Sequence, residues 1–199
     1  ITIDDVMNSA VVASPLKLYD CCPFSDGASS VVLCSEKFAK AHGGDYVEVI
    51  GSGRGGSPAA LQGREHMTTI PSTKIAAEAA YNMAGITAKD VDFAEVHDCF
   101  TIAEIVDTED LGFFAKGQGI QAIREDRTKL NSDISINPSG GLKSKGHPIG
   151  ATGVGQVVEV FDQLTGKAGA RTVKDAKIGL THNFGATGAS CAVHIFQSV

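Results

Sequence analysis

Residues 28–34, ASSVVLC, are small or apolar at nearly every position and have strand length, so they read as a buried strand. SEKFAKAH follows as a short helix that stops at Gly43-Gly44, and DYVEVI (45–50) alternates as a second strand should. From Gly51 to about Pro71 the pattern dissolves into a glycine-rich polar stretch that reads as a long loop. A helix is predicted over Ser72–Ala84, with Ser72 as its cap and Gly85 as its stop. VDFAEVH (91–97) predicts a strand, and Thr101 opens a capping box with Glu104 for a helix that ends at Gly112. ISI (134–136) is a short strand. A glycine-rich loop leads from it to a helix over about Gly153–Leu164, whose Val154, Val157, Val158, Phe161 and Leu164 share one face. KIGLTHN and SCAVHIF then form a hairpin around the turn FGATGA.

Strands alternate with helices until that final hairpin, which predicts an α/β fold with a mixed sheet covered by helices. The composition shifts near Gly43-Gly44, so a boundary is expected there, with residues 1–43 as one piece and 44–199 as the main domain. No internal repeat and no low-complexity segment interrupts the 199 residues. Ile1 opens inside an amphipathic pattern, as a fragment or a processed chain would.

Charge and composition narrow the function. A net charge of −6 argues against a nucleic-acid partner. No apolar run is long enough for a membrane span, and no secretory signal pattern opens the chain. The five cysteines include no C-x-x-C pair, and Cys21 and Cys22 are adjacent, a poor spacing for zinc. No metal site is expected, and a reducing, cytoplasmic compartment fits. FQSV at the C-terminus is not a peroxisomal signal.

Two nucleotide motifs fail on context. GSGRGG (51–56) has dinucleotide spacing, but Ser57-Pro58 stands where a helix should start. GLKSKGHP places His147-Pro148 where a phosphate loop needs Lys-Ser/Thr.

Three stretches could carry chemistry. In HDCF (97–100), extended spacing would point His97 and Cys99 the same way and Asp98 the other. Cys99 precedes a helix N-terminus, whose dipole favours a thiolate; taken alone, a small buried core cysteine is the commoner reading. His147 sits in GGLKSKGHPIGATG, where glycines would let a ligand approach the imidazole, or where the chain turns with a structural histidine. His182 and Asn183 end a strand before FGATG, either a ligand-facing strand end or a plain turn. Lys143 and Lys145 read as solvated, and Cys21, Cys22 and Cys191 as structural.

Together these stretches resemble the thiolase family. SPLKLYDCCPFSDGASSVVL is similar to the end of a thiolase N-terminal half, and NPSGGLKSKGHPIGATG to its glycine-rich segment with the Gly-His-Pro triad. HDCF and HNFGATG resemble the sterol-carrier-protein type, which has HDCF in place of Asn-Glu-Ala-Phe and lacks the usual Cys-x-Gly near the C-terminus. The resemblance implies the C-terminal half of a thiolase-like fold plus the tail of the N-terminal half. It implies chemistry on acyl-CoA thioesters, with CoA as substrate and no permanently bound cofactor. Cys99 would move the proton at the α-carbon, and His147 would donate to the thioester oxygen as enolate charge grows. His97 would help build that hole through water. Gly185, beside Asn183, would belong to a second hole around the acyl-enzyme carbonyl. CoA contacts are expected at Gly51, Ser52, Gly146 and Gly150. The acyl-carrying cysteine is expected upstream, and neither Cys21 nor Cys22 matches it. Self-association, or a partner supplying the upstream half, is therefore expected. The competing expectations are a thiolase-like aldolase on CoA-linked side chains and a non-catalytic assembly subunit.

Overall fold

The structure is a computed structural model that describes residues 1–199. A short helix α1 (Ile3–Met7) precedes a two-stranded antiparallel ribbon of β1 (Val11–Ala13) and β2 (Leu16–Lys17). Helix α2 (Glu36–His42) follows, capped by the Ser35 hydroxyl and ended at Gly43 with φ +74°. The main sheet then uses β3 (Val47–Gly56), β4 (Phe93–Glu95), β5 (Ser135–Ile136), β6 (Ile178–Gly185) and β7 (Ser190–Ser198). Between them lie α3 (Pro71–Ala84), α4 (Thr101–Asp110), α5 (Gly119–Arg124), α6 (Gly141–Lys145) and α7 (Thr152–Leu164). The strand order is β3-β7-β6-β4-β5, with β4 parallel to β5 and β6, and β7 antiparallel to β3 and β6. The mixed α/β sheet expected from the pattern is the one present, and the hairpin pairs Ile178 with Gln197 through to Gly185 with Ser190.

Alternation along the strands fills both faces of the sheet. Ala94, Leu180, Val193 and Ile195 pack with Ala76, Ala77 and Ala80 of α3 in the larger core. Phe93 and Phe196 turn to the other face and meet Val160 of α7 and Val173. Gly179 lacks a side chain because a Cβ there would come within 2.4 Å of the Phe93 ring.

The loop expected from Gly51 begins only after Gly56, and residues 51–56 are the second half of β3. Gly51, Gly53 and Gly55 share one strand face, and α3 lies against them at backbone distance. A Cβ on these residues would stand 2.6 Å from the Ala80 carbonyl oxygen, 1.9 Å from that of Ala76 and 1.9 Å from that of Ser72. The glycines are a ledge for a helix, and their spacing of two is the strand period rather than a loop signature. α3 itself begins at Pro71, suited to the first helical turn, with Ile70 as its cap. Ser72, expected as the cap, is buried and donates to the Gly188 carbonyl at 2.6 Å. Helices α5 and α6 had no counterpart in the predicted elements.

The first fifty residues contrast with the rest, for none of them is buried. ASSVVLC forms no strand; Val32 is 89% exposed and Leu33 81%. A strand needs a neighbour for its amides, and none pairs with these residues here. The apolar face predicted for α7 is only half covered. Apart from Val160, its buried stripe is polar: Gln156 donates to the His182 carbonyl at 3.1 Å, and Gln163 accepts the Val173 amide at 2.9 Å. Val157, Val158 and Phe161 instead line a cleft of about 990 Å³ with Val31, Leu33 and Phe38. The total accessible surface is 10959 Å². A compact 20.6 kDa monomer should expose about 8,900 Å², so a large apolar area is uncovered.

Candidate active site

β4 delivers the HDCF residues to the edge of the core. The Asp98 amide turns back to the Val96 carbonyl at 3.0 Å, so residues 97–99 leave the extended conformation and the expected alternation stops at Glu95. Val96, His97 and Asp98 are buried, while Cys99 is half-buried. Phe100, not Thr101, is the cap residue of α4. Thr101 donates to Asp20 at 3.2 Å, and Glu104 accepts from Asn137 at 3.3 Å, so the expected capping box does not form.

The acidic residues around β4 hold the glycine-rich loop. Asp98 accepts from the Leu142 amide at 2.7 Å and the Lys143 amide at 3.4 Å, at the start of α6. Glu95, fully buried, accepts from the Ser139 hydroxyl at 2.6 Å and its amide at 3.1 Å, with the Lys145 ammonium at 3.4 Å. Asn137 accepts from the Val96 amide at 2.8 Å. Lys145 therefore pairs with Glu95, and Lys143 donates to the Tyr19 carbonyl, so neither lysine is merely solvated.

The loop glycines make room for protein. Gly141, at φ +66°, would carry a Cβ 2.2 Å from the Asp98 carboxylate, and Gly146, at φ +83°, one 2.3 Å from the Ser25 hydroxyl. Gly150 alone of the two predicted loop contacts faces open space. Gly51 and Ser52 lie inside β3, paired with Ile195 and His194, and the free side of Gly51 is taken by α3. The loop expected to bring them to CoA begins only at Ser57, past both residues.

His147 emerges from this loop against His97, with ring centroids 4.9 Å apart and the rings nearly perpendicular. Phe184 packs on the other side of His97 at 4.6 Å. The His147 Nδ1 lies 2.7 Å from the Thr152 hydroxyl, which is also 3.1 Å from the Pro148 carbonyl. That carbonyl already accepts the Ala151 and Thr152 amides at 2.8 and 2.9 Å. The hydroxyl is best used as a donor to Nδ1, which puts the ring proton of neutral His147 on Nε2.

The Cys22-Pro23 segment, whose cysteine was read as structural, joins the two halves of the site. The Cys22 amide donates to the Cys99 carbonyl at 2.9 Å, and the His147 amide donates to the Pro23 carbonyl at 3.0 Å. Adjacent residues of one extended segment thus hold the thiol loop and the imidazole loop. Asn183 donates to Gln156 at 3.2 Å, and Gly185 is exposed at the end of β6. His182 lies inside the core, its Nε2 2.9 Å from the Thr73 hydroxyl and its Nδ1 3.6 Å from Asp107.

Burial governs the electrostatics. It pushes the Cys99 thiol up to about 12, helped by the nearby Asp107 charge, so the expected activation by the helix end is overridden. It holds His97 down at about 4, with His147 adding to the effect, and lowers His147 as well. Both rings are neutral near pH 7. Burial and the Asp98 charge raise Glu104 to about 7.

Residues 53–198 match the family described as thiolase C-terminal domain-like. The chain is 49% identical over 197 residues to an acetyl-CoA acetyltransferase of Methanothermobacter thermautotrophicus, covering 99% of this chain and 51% of that protein. It is 40% identical to an acetyl-CoA acetyltransferase of Methanocaldococcus jannaschii, over 99% of this chain and 52% of that one. It is 39% identical to human sterol carrier protein 2, over 94% of this chain and 35% of the relative. The chain thus spans about half the length of the first two relatives or less of the third. A solved Ltp2-ChsH2(DUF35) aldolase shares the fold over the whole chain and 51% of its own, with a TM-score of 0.88 and 22% identity. With a family match from β3 to the last strand, the chain belongs to the thiolases, through a C-terminal domain of that family.

Proposed function

We propose that this chain supplies the C-terminal half of an active site that makes or breaks the carbon–carbon bond beside an acyl-CoA thioester carbonyl. The observation that carries this reading is the packing of His147 on His97, with Cys99 tied to the residue next to the one that ties His147. His147, with its proton on Nε2, donates to the thioester oxygen as negative charge develops there. His97, neutral and buried, supports the same hole. Cys99 is a neutral thiol, suited to protonating an α-carbanion and to retrieving that proton in the reverse direction. Gly185, beside Asn183, takes the second hole, and Gly150 is the loop glycine open to the CoA thioester.

The acyl-carrying cysteine comes from a polypeptide segment beyond these 199 residues in this reading. Residues 1–43 would pack with that segment, and the exposed apolar cleft beside α7 supports such a partner, either a thiolase upstream half or a further copy. A cytoplasmic location accords with five free thiols. A second reading, an aldolase on CoA-linked side chains, keeps His147 and dispenses with the acyl-enzyme. It is supported by the fold shared with a solved aldolase, and the retained Cys99 counts against it.

Thiolysis of acetoacetyl-CoA tests the proposal. The chain alone should give no turnover, and the chain combined with a thiolase upstream half should give turnover that His147→Ala abolishes. Robust thiolysis by the chain alone would remove the split-site reading. Carbon–carbon cleavage without CoA as acceptor would favour the aldolase.

A further inference from the structure

Five carboxyl side chains are buried in this chain, and four of them are held by donors. Glu95 has Ser139 and Lys145, and Asp98 has the Leu142 and Lys143 amides. Asp110 has the Ile70 amide at 2.6 Å and the Lys116 ammonium at 2.9 Å, and Glu159 has the Arg171 guanidinium at 2.9 Å. Asp107 of α4 is the fifth. It is 0% exposed, and neither of its oxygens has a hydrogen-bond partner. A carboxyl group so placed takes up a proton rather than stay ionised without donors.

The ring beside it does not supply a compensating charge. His182 Nδ1 lies 3.6 Å from Asp107 Oδ2, beyond hydrogen-bond length, and has no other partner. Its Nε2 is already engaged by the Thr73 hydroxyl at 2.9 Å. A buried ion pair holds only when close geometry and further hydrogen bonds satisfy both partners, and Asp107 has neither. His182 is 0% exposed and packs on Phe184 at 5.8 Å between ring centroids; burial, with His97 adding to it, holds its ring down at about 3. The other groups that face Asp107 act in the same sense. Asp110 and Glu104 stand on its own helix and Asp98 in the HDCF turn. Lys116 opposes them, but its ammonium is already shared between Asp110 at 2.9 Å and Glu109 at 3.3 Å.

We propose that Asp107 is a neutral, protonated carboxyl group and a positioning residue that acts through Cys99, by keeping negative charge away from that thiol. Its action on Cys99 rests on the function proposed above; its protonation does not. Asp107 is the group whose charge weighs most on the Cys99 thiol, and that charge exists only once the acid has ionised. When Cys99 protonates the carbanion, its S–H bond breaks, a C–H bond forms, and a thiolate is left with no cation among the groups acting on it. A carboxylate nearby would oppose that thiolate, whereas a carboxylic acid does not. Asp107 keeps its own proton throughout.

Infrared spectroscopy of the protein labelled with carboxyl-13C aspartate reads this protonation directly. At pH 7 the parent should show the carbonyl stretch of a protonated carboxyl group that is missing from Asp107→Asn. A parent without that band, or a band unchanged in Asp107→Asn, overturns the proposal. Alkylation of Cys99 by iodoacetamide at pH 8, followed on its peptide by mass spectrometry, checks the action on the thiol. Asp107→Asn exchanges one neutral group for another, so the rate should stay within about twofold of the parent. A larger increase would mean that a negative charge had been removed, which also overturns the proposal. Nitrogen-15 spectra of the histidine-labelled parent need no variant. An ionised pair would keep one imidazolium at about pH 8.5, where an ordinary histidine is neutral, and none is expected. If Asp107→Asn does not fold by circular dichroism, the two spectra of the parent decide alone. A protonated Asp107 in an assembled protein that shows no thiolysis would leave the carboxyl group as inferred and remove the reading of the site.

Discussion

The carboxylate of Asp98 accepts the Leu142 amide at 2.7 Å, and the Cβ missing from Gly141 leaves the space in which that carboxylate sits. One residue of HDCF thereby positions the loop that carries His147. Asp98→Ala leaves the Leu142 and Lys143 amides without their acceptor, at a cost of about 1–3 kcal/mol. Gly141→Ala should cost at least as much, since it adds a clash to a left-handed backbone. Urea denaturation measures both, and a midpoint unchanged by Asp98→Ala would show that the loop holds without this contact.

The glycine ledge gives a contrast within one strand. Gly53→Ala drives a methyl into the Ala76 carbonyl and should destabilise by about 3 kcal/mol, at the upper end for overpacking. Gly56→Ala, whose nearest neighbour is 3.9 Å away, should stay within about 0.5 kcal/mol of the parent. Thermal unfolding of the two variants separates a packing ledge from a flexible loop.

Thr152 offers a test of the His147 tautomer. Thr152→Val removes the donor to Nδ1, so the ring proton can settle on Nδ1 and leave Nε2 without its hydrogen. Turnover by the assembled protein should fall by about tenfold to a hundredfold, less than the 10²–10³ expected for losing a hole donor outright. Thr152→Ser should restore it. Equal losses in the two variants would indicate a packing role for Thr152.

Glu104 makes stability depend on pH with a defined sign. Its folded value of about 7 lies above the ordinary 4.5. Between these values the folded state holds the proton that the unfolded state has lost, so this contribution is present at low pH and fades as pH rises to about 7. Glu104→Gln should therefore gain on the parent across that window, by about 2–3 kcal/mol in unfolding free energy. A constant difference between the two proteins from pH 5 to pH 8 would show that Glu104 titrates normally.

The uncovered face beside α7 should drive association. Sedimentation at rising concentration is expected to show dimers or larger species. Val158→Glu with Phe161→Glu, within the cleft, should shift the chain toward monomer. A parent that sediments as a clean monomer would contradict this.

The sequence by itself determined whatever depends on local period and chemistry. The hairpin of β6 and β7, the short helix α2 ending at Gly43 and the mixed α/β layout were legible because strand alternation and helix-ending glycines act over a few positions. HDCF and the Gly-His-Pro triad were legible as motifs. Only the tertiary structure decided which glycines face protein and which face a ligand, because φ signs and close approaches depend on residues far away: Gly53 meets α3, and Gly146 meets Ser25. It decided too that Cys99 is a raised thiol, since burial by surrounding elements outweighs one helix end. Cys22 and Pro23 gave no local signal, for their part comes from hydrogen bonds to loops some 75 and 125 residues along the chain. ASSVVLC shows the converse: its strand pattern was plain, but a strand forms only beside a partner whose amides it can satisfy.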